Sequence, residues 1–208
     1  MSGEEWNERY KTRDLPWDTQ APDEHLVGLV RAKTILPGIA LEVGCGTGTN
    51  ALWLADQGFS VLGVDISPEA VEQARHKLDG QPLPCDFAVL DFLENNSLTR
   101  SYDFVFDRGC FHGFDQDEER SEFARQVSQV LKTGGIWASL IGSTEGKPRD
   151  TGPPRRTAME VIQAIEPFLE ILELRSVFFQ TNHPYTAKAW LCIARLRTEP
   201  AQLSTRRP

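Results

Sequence analysis

Leu41-Glu42-Val43-Gly44-Cys45-Gly46-Thr47-Gly48, followed downstream by Gly63-Val64-Asp65, decides how this chain folds. An apolar strand runs into a glycine-dense turn, a helix begins near Thr49, and a second strand ends in an aspartate. Glycine tolerates positive φ and has no Cβ, so the chain reverses tightly and a ligand can approach the backbone. The free N–H groups of the following helix point at whatever sits there. A carboxylate at the end of the second strand, here Asp65, can accept the hydroxyls of a ribose. Together these features form the grip of an α/β sheet on the nucleoside part of a cofactor. The alternative is an ordinary glycine-rich turn beside a solvated aspartate.

Working outward, strands and helices alternate. The first strand is expected over 39–43 and its helix ends near Gly58. The second strand, 61–65, is followed by Ser67-Pro68, a side-chain cap with proline in the first turn. A third strand at 87–90 ends in Asp91-Phe92, and a fourth at 102–106 ends in Asp107-Arg108-Gly109. A helix with Phe123, Val127, Val130 and Leu131 inward is expected to stop at Gly134-Gly135, before a fifth strand at 136–141. A polar loop spans 142–156, and Thr157 to Glu160 reads as a capping box. Two β-rich runs, 169–179 and 187–196, have no helix between them and should pair as an antiparallel hairpin. The expected fold class is therefore α/β, a doubly wound and mostly parallel sheet with an antiparallel terminal edge hairpin.

The length of 208 residues suits one domain. Residues 1–38 should form a helical arm, 39–198 the core, and 199–208 a disordered tail. A net charge of −8 disfavours a nucleic-acid partner. Cys45, Cys85, Cys110 and Cys192 form no C-x-x-C pair, and no cluster has metal-ligand spacing, so no metal is expected. No apolar leader or membrane-spanning run is evident, which points to a cytoplasmic protein with no membrane partner.

The successive motifs Val43-Gly44-Cys45-Gly46-Thr47-Gly48, Val64-Asp65, Asp91-Phe92 and the run from Phe104 to Gly109 resemble those of class I S-adenosylmethionine-dependent methyltransferases. The resemblance covers roughly residues 39–142 and implies a seven-stranded sheet with its last strand inserted antiparallel. Outside that core, Trp6-Asn7-Glu8-Arg9-Tyr10, Leu15-Pro16-Trp17-Asp18 and the run from Asp107 to His112 resemble the thiopurine, thiol, halide and tellurite-resistance methyltransferases. Pro153-Pro154-Arg155-Arg156 and Ala189-Trp190-Leu191-Cys192 do so more loosely. The resemblance implies S-adenosylmethionine as cofactor, with Gly44, Gly46 and Gly48 along its methionine part. It places Asp65 on the ribose, Ile66 against the adenine, and Asp91 and Phe92 also at the adenine. Arg108 would sit near the sulfonium, with Trp6, Tyr10 and Trp17 as a roof. Glu42, Cys45, Asn50 and Asp107, in or beside the same motifs, complete the expected cofactor contacts. Aromatic faces attract cations such as a sulfonium. The tryptophans are alternatively staples that fix the arm to the body.

The expected reaction is methyl transfer to a small molecule, most naturally a thiol or another soft chalcogen or halide nucleophile that needs no strong base. An oxygen or nitrogen acceptor is the runner-up. His112 is a candidate base, or else a loop histidine bonded to backbone. Arg108 could steady an anionic acceptor, or else pair with Asp107 or another nearby carboxylate. Arg149, Arg155 and Arg156 could gather an anion or be solvated loop charge, whereas Cys110 is read as a packed or partly exposed free thiol. His25 and His76 read as helix-surface residues and His183 as a turn residue before Pro184. Two other classes stay open. A nicotinamide-dependent dehydrogenase would normally keep a Gly-x-x-Gly step where Gly48 leads here to Asn50-Ala51. A non-catalytic cofactor sensor would lack an acceptor pocket.

Overall fold

The computed structural model describes residues 1–99, 102–146, 152, 154–182 and 187–197. Arg149, Pro153, His183, Pro184 and the 199–208 tail lie outside the described residues. Seven strands form one sheet: β1 (Ile39–Val43), β2 (Ser60–Asp65), β3 (Cys85–Val89), β4 (Tyr102–Arg108), β5 (Leu131–Gly142), β6 (Leu169–Phe179) and β7 (Ala187–Leu196). Their spatial order is β3-β2-β1-β4-β5-β7-β6. The first five run parallel, and β7 is antiparallel to both β5 and β6. The order reverses between β1 and β4, so their carboxyl ends flank the crevice where such sheets bind ligands.

Side-chain alternation along each strand sorts the core into two layers. Ala40, Phe104, Phe106 and Ala138 face one layer with α2 (Glu24–Arg31), α3 (Thr49–Asp56) and α4 (Pro68–Leu78). Leu41, Val43, Val105 and Trp137 face the other, with α5 (Asp117–Val130) and α6 (Ala158–Ile165). The helix starts follow their caps: Ser67 Oγ accepts the Ala70 N–H, and Thr157 with Glu160 closes a reciprocal capping box. The α5 helix ends at Val130 rather than at Gly134, because Leu131 takes extended backbone (φ −70°, ψ 140°) and already pairs with Tyr102 as the start of β5.

The amino-terminal segment forms α1 (Gly3–Thr12), opened by a Ser2–Glu5 capping box. It lies across the start of α4, where Asn7 Oδ1 accepts from Ser67 Oγ at 2.8 Å and the Glu69 N–H at 2.9 Å. His76 is exposed on α4 as expected. His25 is not a surface residue: it is half-buried, with Nε2 3.0 Å from the Phe178 carbonyl, joining α2 to the end of β6. All four cysteines are free, Cys45 and Cys192 buried and the other two half-buried. No helix among the described residues is long and apolar enough to cross a membrane.

Candidate active site

The glycine turn sits at the carboxyl end of β1, at the reversal of strand order. Gly44 and Gly46 have φ +68° and +54°. A Cβ on Gly44 would lie 2.9 Å from the Cys110 Cβ, and one on Gly46 would lie 2.9 Å from the Tyr10 hydroxyl. The turn is thus bordered by the loop after β4 on one side and by the amino-terminal arm above. Asp65 ties it to β2: Oδ2 accepts the Gly46 N–H and Oδ1 the Ser67 N–H, both at 2.9 Å. The carboxylate has about four acceptor positions, so it can still accept from a ligand hydroxyl. Burial raises the Asp65 pKa, while those N–H groups oppose the shift.

Glu42 lies on the same strand two residues before the turn and is almost completely buried. Its Oε1 accepts from Asn50 Nδ2 at 3.0 Å, whereas Oε2 has no hydrogen-bond partner among the described residues. Burial lifts its pKa to about 8, against the hydrogen bonds from Asn50 and the Ala51 backbone. An orphaned buried carboxyl oxygen beside a cradle of side-chain-free backbone is suited to a ligand that brings hydrogen-bond donors. The turn, Asp65 and Glu42 therefore fit a nucleoside cofactor with a polar tail.

The arm roofs this floor. Tyr10 is buried and packs edge-on to Trp17 at 6.2 Å, and Trp17 packs edge-on to Trp6 at 5.5 Å. Arg9 stands 4.3 Å over the Trp17 ring, so one face of the indole already holds a cation. Burial, then the charge of Asp65, raises the Tyr10 pKa well above its ordinary value. Ile66 is covered by the start of α1, where a Cβ on Gly3 would lie 3.1 Å from its Cγ1. Thr47 Oγ1 donates to Asp18 Oδ2 at 2.8 Å, and Lys77 Nζ donates to Thr47 and Thr49 hydroxyls at 2.6 and 3.1 Å.

Several residues expected on the cofactor face elsewhere. Gly48 (φ +78°) faces the body of the protein, where a Cβ would lie 2.7 Å from Phe87 and 2.9 Å from Ala74, so it serves helix–sheet packing. The Cys45 side chain lies in the core beneath the turn. The Phe92 ring packs on Phe123 at 5.0 Å in the α5 layer, because its side chain points inward and not to an adenine site. Asp91, by contrast, stays exposed just after β3: its Oδ1 accepts the Leu93 N–H at 3.0 Å, and nothing in its placement contradicts the expected role.

The loop after β4 carries the largest differences from expectation. Asp107 and Arg108 are successive strand residues and so point to opposite faces. Asp107 faces the α5 layer, fully buried, accepting the Phe111 N–H at 3.0 Å and Trp137 Nε1 at 2.9 Å. Burial raises its pKa to about 6. It shapes the loop from beneath and makes no wall of the cleft. Arg108 faces the other layer: Nε donates to Asp23 Oδ2 at 2.8 Å, and the two terminal nitrogens donate to the Trp17 carbonyl at 3.2 Å and to the Gln180 carbonyl. The carboxylate partner is thus Asp23, not Asp107. His112 is buried, and its Nδ1 accepts the Gly142 N–H at 2.6 Å. A neutral imidazole has one acceptor nitrogen, so the lone pair a base would use is already engaged. Arg156 is not solvated loop charge either: one guanidinium nitrogen donates to the His112 and Phe114 carbonyls and to Asp115 Oδ1, at 2.9, 2.8 and 2.8 Å. Arg155 is half-buried. Among the described residues no three His, Cys, Asp or Glu side chains gather as a metal site.

Comparison with known proteins decides among the cofactor classes. A profile described as "Methyltransferase domain" matches residues 40–135, from β1 through the start of β5. The chain is 28% identical over 164 residues to the "Probable thiol methyltransferase 2" of Arabidopsis thaliana, covering 77% of this chain and 70% of that protein. It is 28% identical over 185 residues to the "Thiocyanate methyltransferase 1" of Brassica oleracea, covering 87% and 77%. The protein is an S-adenosylmethionine-dependent methyltransferase. A solved structure titled "Conversion of a Disulfide Bond into a Thioacetal Group during Echinomycin Biosynthesis" superimposes on the methyltransferase with a TM-score of 0.83 at 25% identity, covering 94% of this chain and 92% of that one. The nicotinamide-dependent and non-catalytic readings are thereby set aside.

Asp18, Asp23, Thr47, Lys77 and Gln180 were not legible as site residues of this methyltransferase. Asp23 carries a local signal, since it precedes a helical pattern in a capping position. Its partner Arg108 is 85 residues away, and nothing in the sequence pairs them.

Proposed function

We propose that this methyltransferase transfers the methyl group of S-adenosylmethionine to a sulfur atom of a small molecule, within the wider group of soft chalcogen and halide acceptors. The observation that carries this reading is the state of the loop after β4. Arg108 is engaged by Asp23, Asp107 is buried under Trp137, and the His112 Nδ1 accepts a backbone N–H. In that arrangement the loop offers binding surface and orientation in place of a proton acceptor. The cofactor supplies a methyl group already activated on a sulfonium, so in-line positioning can provide most of the acceleration. A thiolate or thiocyanate is nucleophilic without help and a disulfide sulfur has no proton to remove, whereas a phenol or an alcohol needs its proton removed. The two plant relatives, named for a thiol and for thiocyanate, and the neighbour titled for a disulfide support the same element. We further propose that the backbone of Gly44 and Gly46, with Glu42 and Asp65, holds the cofactor under Tyr10 and Trp17.

Incubation of the purified protein with methyl-labelled S-adenosylmethionine and a panel of alkyl thiols, thiocyanate, small disulfides, phenols and amines tests the acceptor class. Label is expected in the sulfur compounds, with rates at least tenfold above those of phenols and amines. Labelled product from phenols or amines alone would replace the sulfur reading with that of an O- or N-methyltransferase.

A further inference from the structure

Asp23 makes more contacts than a helix cap requires. Its Oδ1 accepts the His25 N–H at 2.9 Å, which is the whole of the capping role for α2. Its Oδ2 accepts from Arg108 at 2.8 Å, and its own N–H donates to Asn50 Oδ1 at 2.9 Å. The side chain is completely buried and that of Arg108 nearly so. From Asp23 one path runs through Asn50 to the Glu42 carboxyl on the floor of the turn. The other runs through Arg108 to the Trp17 carbonyl, and Trp17 packs on Tyr10, whose hydroxyl lies against Gly46. The two paths meet again at the glycine turn.

We infer that Asp23 is a positioning residue that couples closure of the arm to the cofactor-binding turn: it anchors Arg108, which holds Trp17 over the turn, and it fixes Asn50, which holds Glu42 beneath it. This inference rests on the cofactor assignment above. It goes beyond that assignment in giving a role to a residue outside the glycine and aspartate motifs. Arg108 acts in the same relay, tying the arm to the ends of β4 and β6 through the Trp17 and Gln180 carbonyls. A buried charge left without its partner is strongly unfavourable, so the arm should release when this pair is broken.

Asp23→Asn separates the two roles, because asparagine caps a helix as well as aspartate does but carries no charge for Arg108. The test measures S-adenosylhomocysteine dissociation by stopped flow, together with amide hydrogen exchange of the ligand-free protein. In Asp23→Asn the dissociation rate should rise at least tenfold. Exchange should accelerate over residues 6–18 while the amides of β4 and β5 keep wild-type protection. The double variant Asp23→Asn/Arg108→Met removes both charges. Melting temperature lost in the single variant should return, while dissociation stays fast because the Trp17 and Gln180 carbonyls remain untied. Wild-type dissociation in Asp23→Asn would overturn the inference, as would affinity that recovers in step with melting temperature in the double variant. A wild-type chain that fails to bind S-adenosylhomocysteine would overturn the cofactor assignment, and this inference with it.

Discussion

Gly48→Ala should destabilise the protein by about 2–6 kcal/mol, lowering its melting temperature by roughly 10 °C. The backbone there has φ +78°, a conformation that a residue with a Cβ adopts at a cost of about 1–3 kcal/mol. The added methyl would also lie 2.7 Å from Phe87 and 2.9 Å from Ala74, both fully buried and unable to yield without moving α4 or β3. Overpacking of that kind adds about 1–3 kcal/mol. Gly28→Ala is the control. Gly28 lies in α2, and no atom of the described residues comes within 4 Å of where its Cβ would be, so alanine should stabilise by about 0.5–1 kcal/mol through helix propensity. Chemical denaturation of the two variants checks both signs. Equal effects of the two would mean that Gly48 is not wedged between α4 and β3.

Glu42→Gln should remove a pH dependence from stability. The folded protein holds the Glu42 proton up to a pKa of about 8, whereas the unfolded chain releases it near the ordinary value of 4.5. Between those values the native state binds more protons than the unfolded state. Stability therefore falls as pH rises through this window, by at most about 1.4 kcal/mol per unit. Below pH 4.5 the carboxyl is protonated in both states and adds nothing to the slope. Glutamine keeps an oxygen for Asn50 and has no proton to lose. The variant should therefore match wild type near pH 5 and exceed it by about 2–4 kcal/mol at pH 8. Asp65 and Asp107 are shifted in the same direction, so the difference between variant and wild type, not the wild-type slope, isolates Glu42. Urea midpoints at the two pH values give the answer. A difference that stays constant with pH would show that Glu42 is ionised in the folded protein.

Much of the fold was legible because its signals are local. The apolar runs of β1, β6 and β7 and the caps at Ser67 and Thr157 announce themselves within a few residues. The end of α5 was misread because Leu131 suits a helix face and a strand equally, and only its pairing with Tyr102 decides between them. The glycine turn was legible for the same local reason, but its three glycines do different work: Gly44 and Gly46 border the cleft while Gly48 packs against Phe87. Asp107 and Arg108 hold a clearer lesson. Adjacent strand residues face opposite layers, so both could not have lined one cleft. Which of the two faced inward depended on β5 and α2, which lie far away in sequence. The arm was readable as a cover, yet its fastenings to Thr47, Arg108 and Gln180 are long-range and leave no pattern.

We propose that this site positions an acceptor that is already nucleophilic and does not deprotonate it. It is tested by the pH dependence of kcat/KM for methyl transfer to a simple thiol, measured for wild type and for His112→Asn, whose Oδ1 takes the place of Nδ1 and can still accept the Gly142 N–H. The expected result is a rate that rises with ionisation of the thiol itself, with the variant within about fivefold of wild type at every pH. A rate limb near the ordinary histidine pKa of about 6.5, lost in His112→Asn together with a hundredfold or more of activity, would contradict it and make His112 the base.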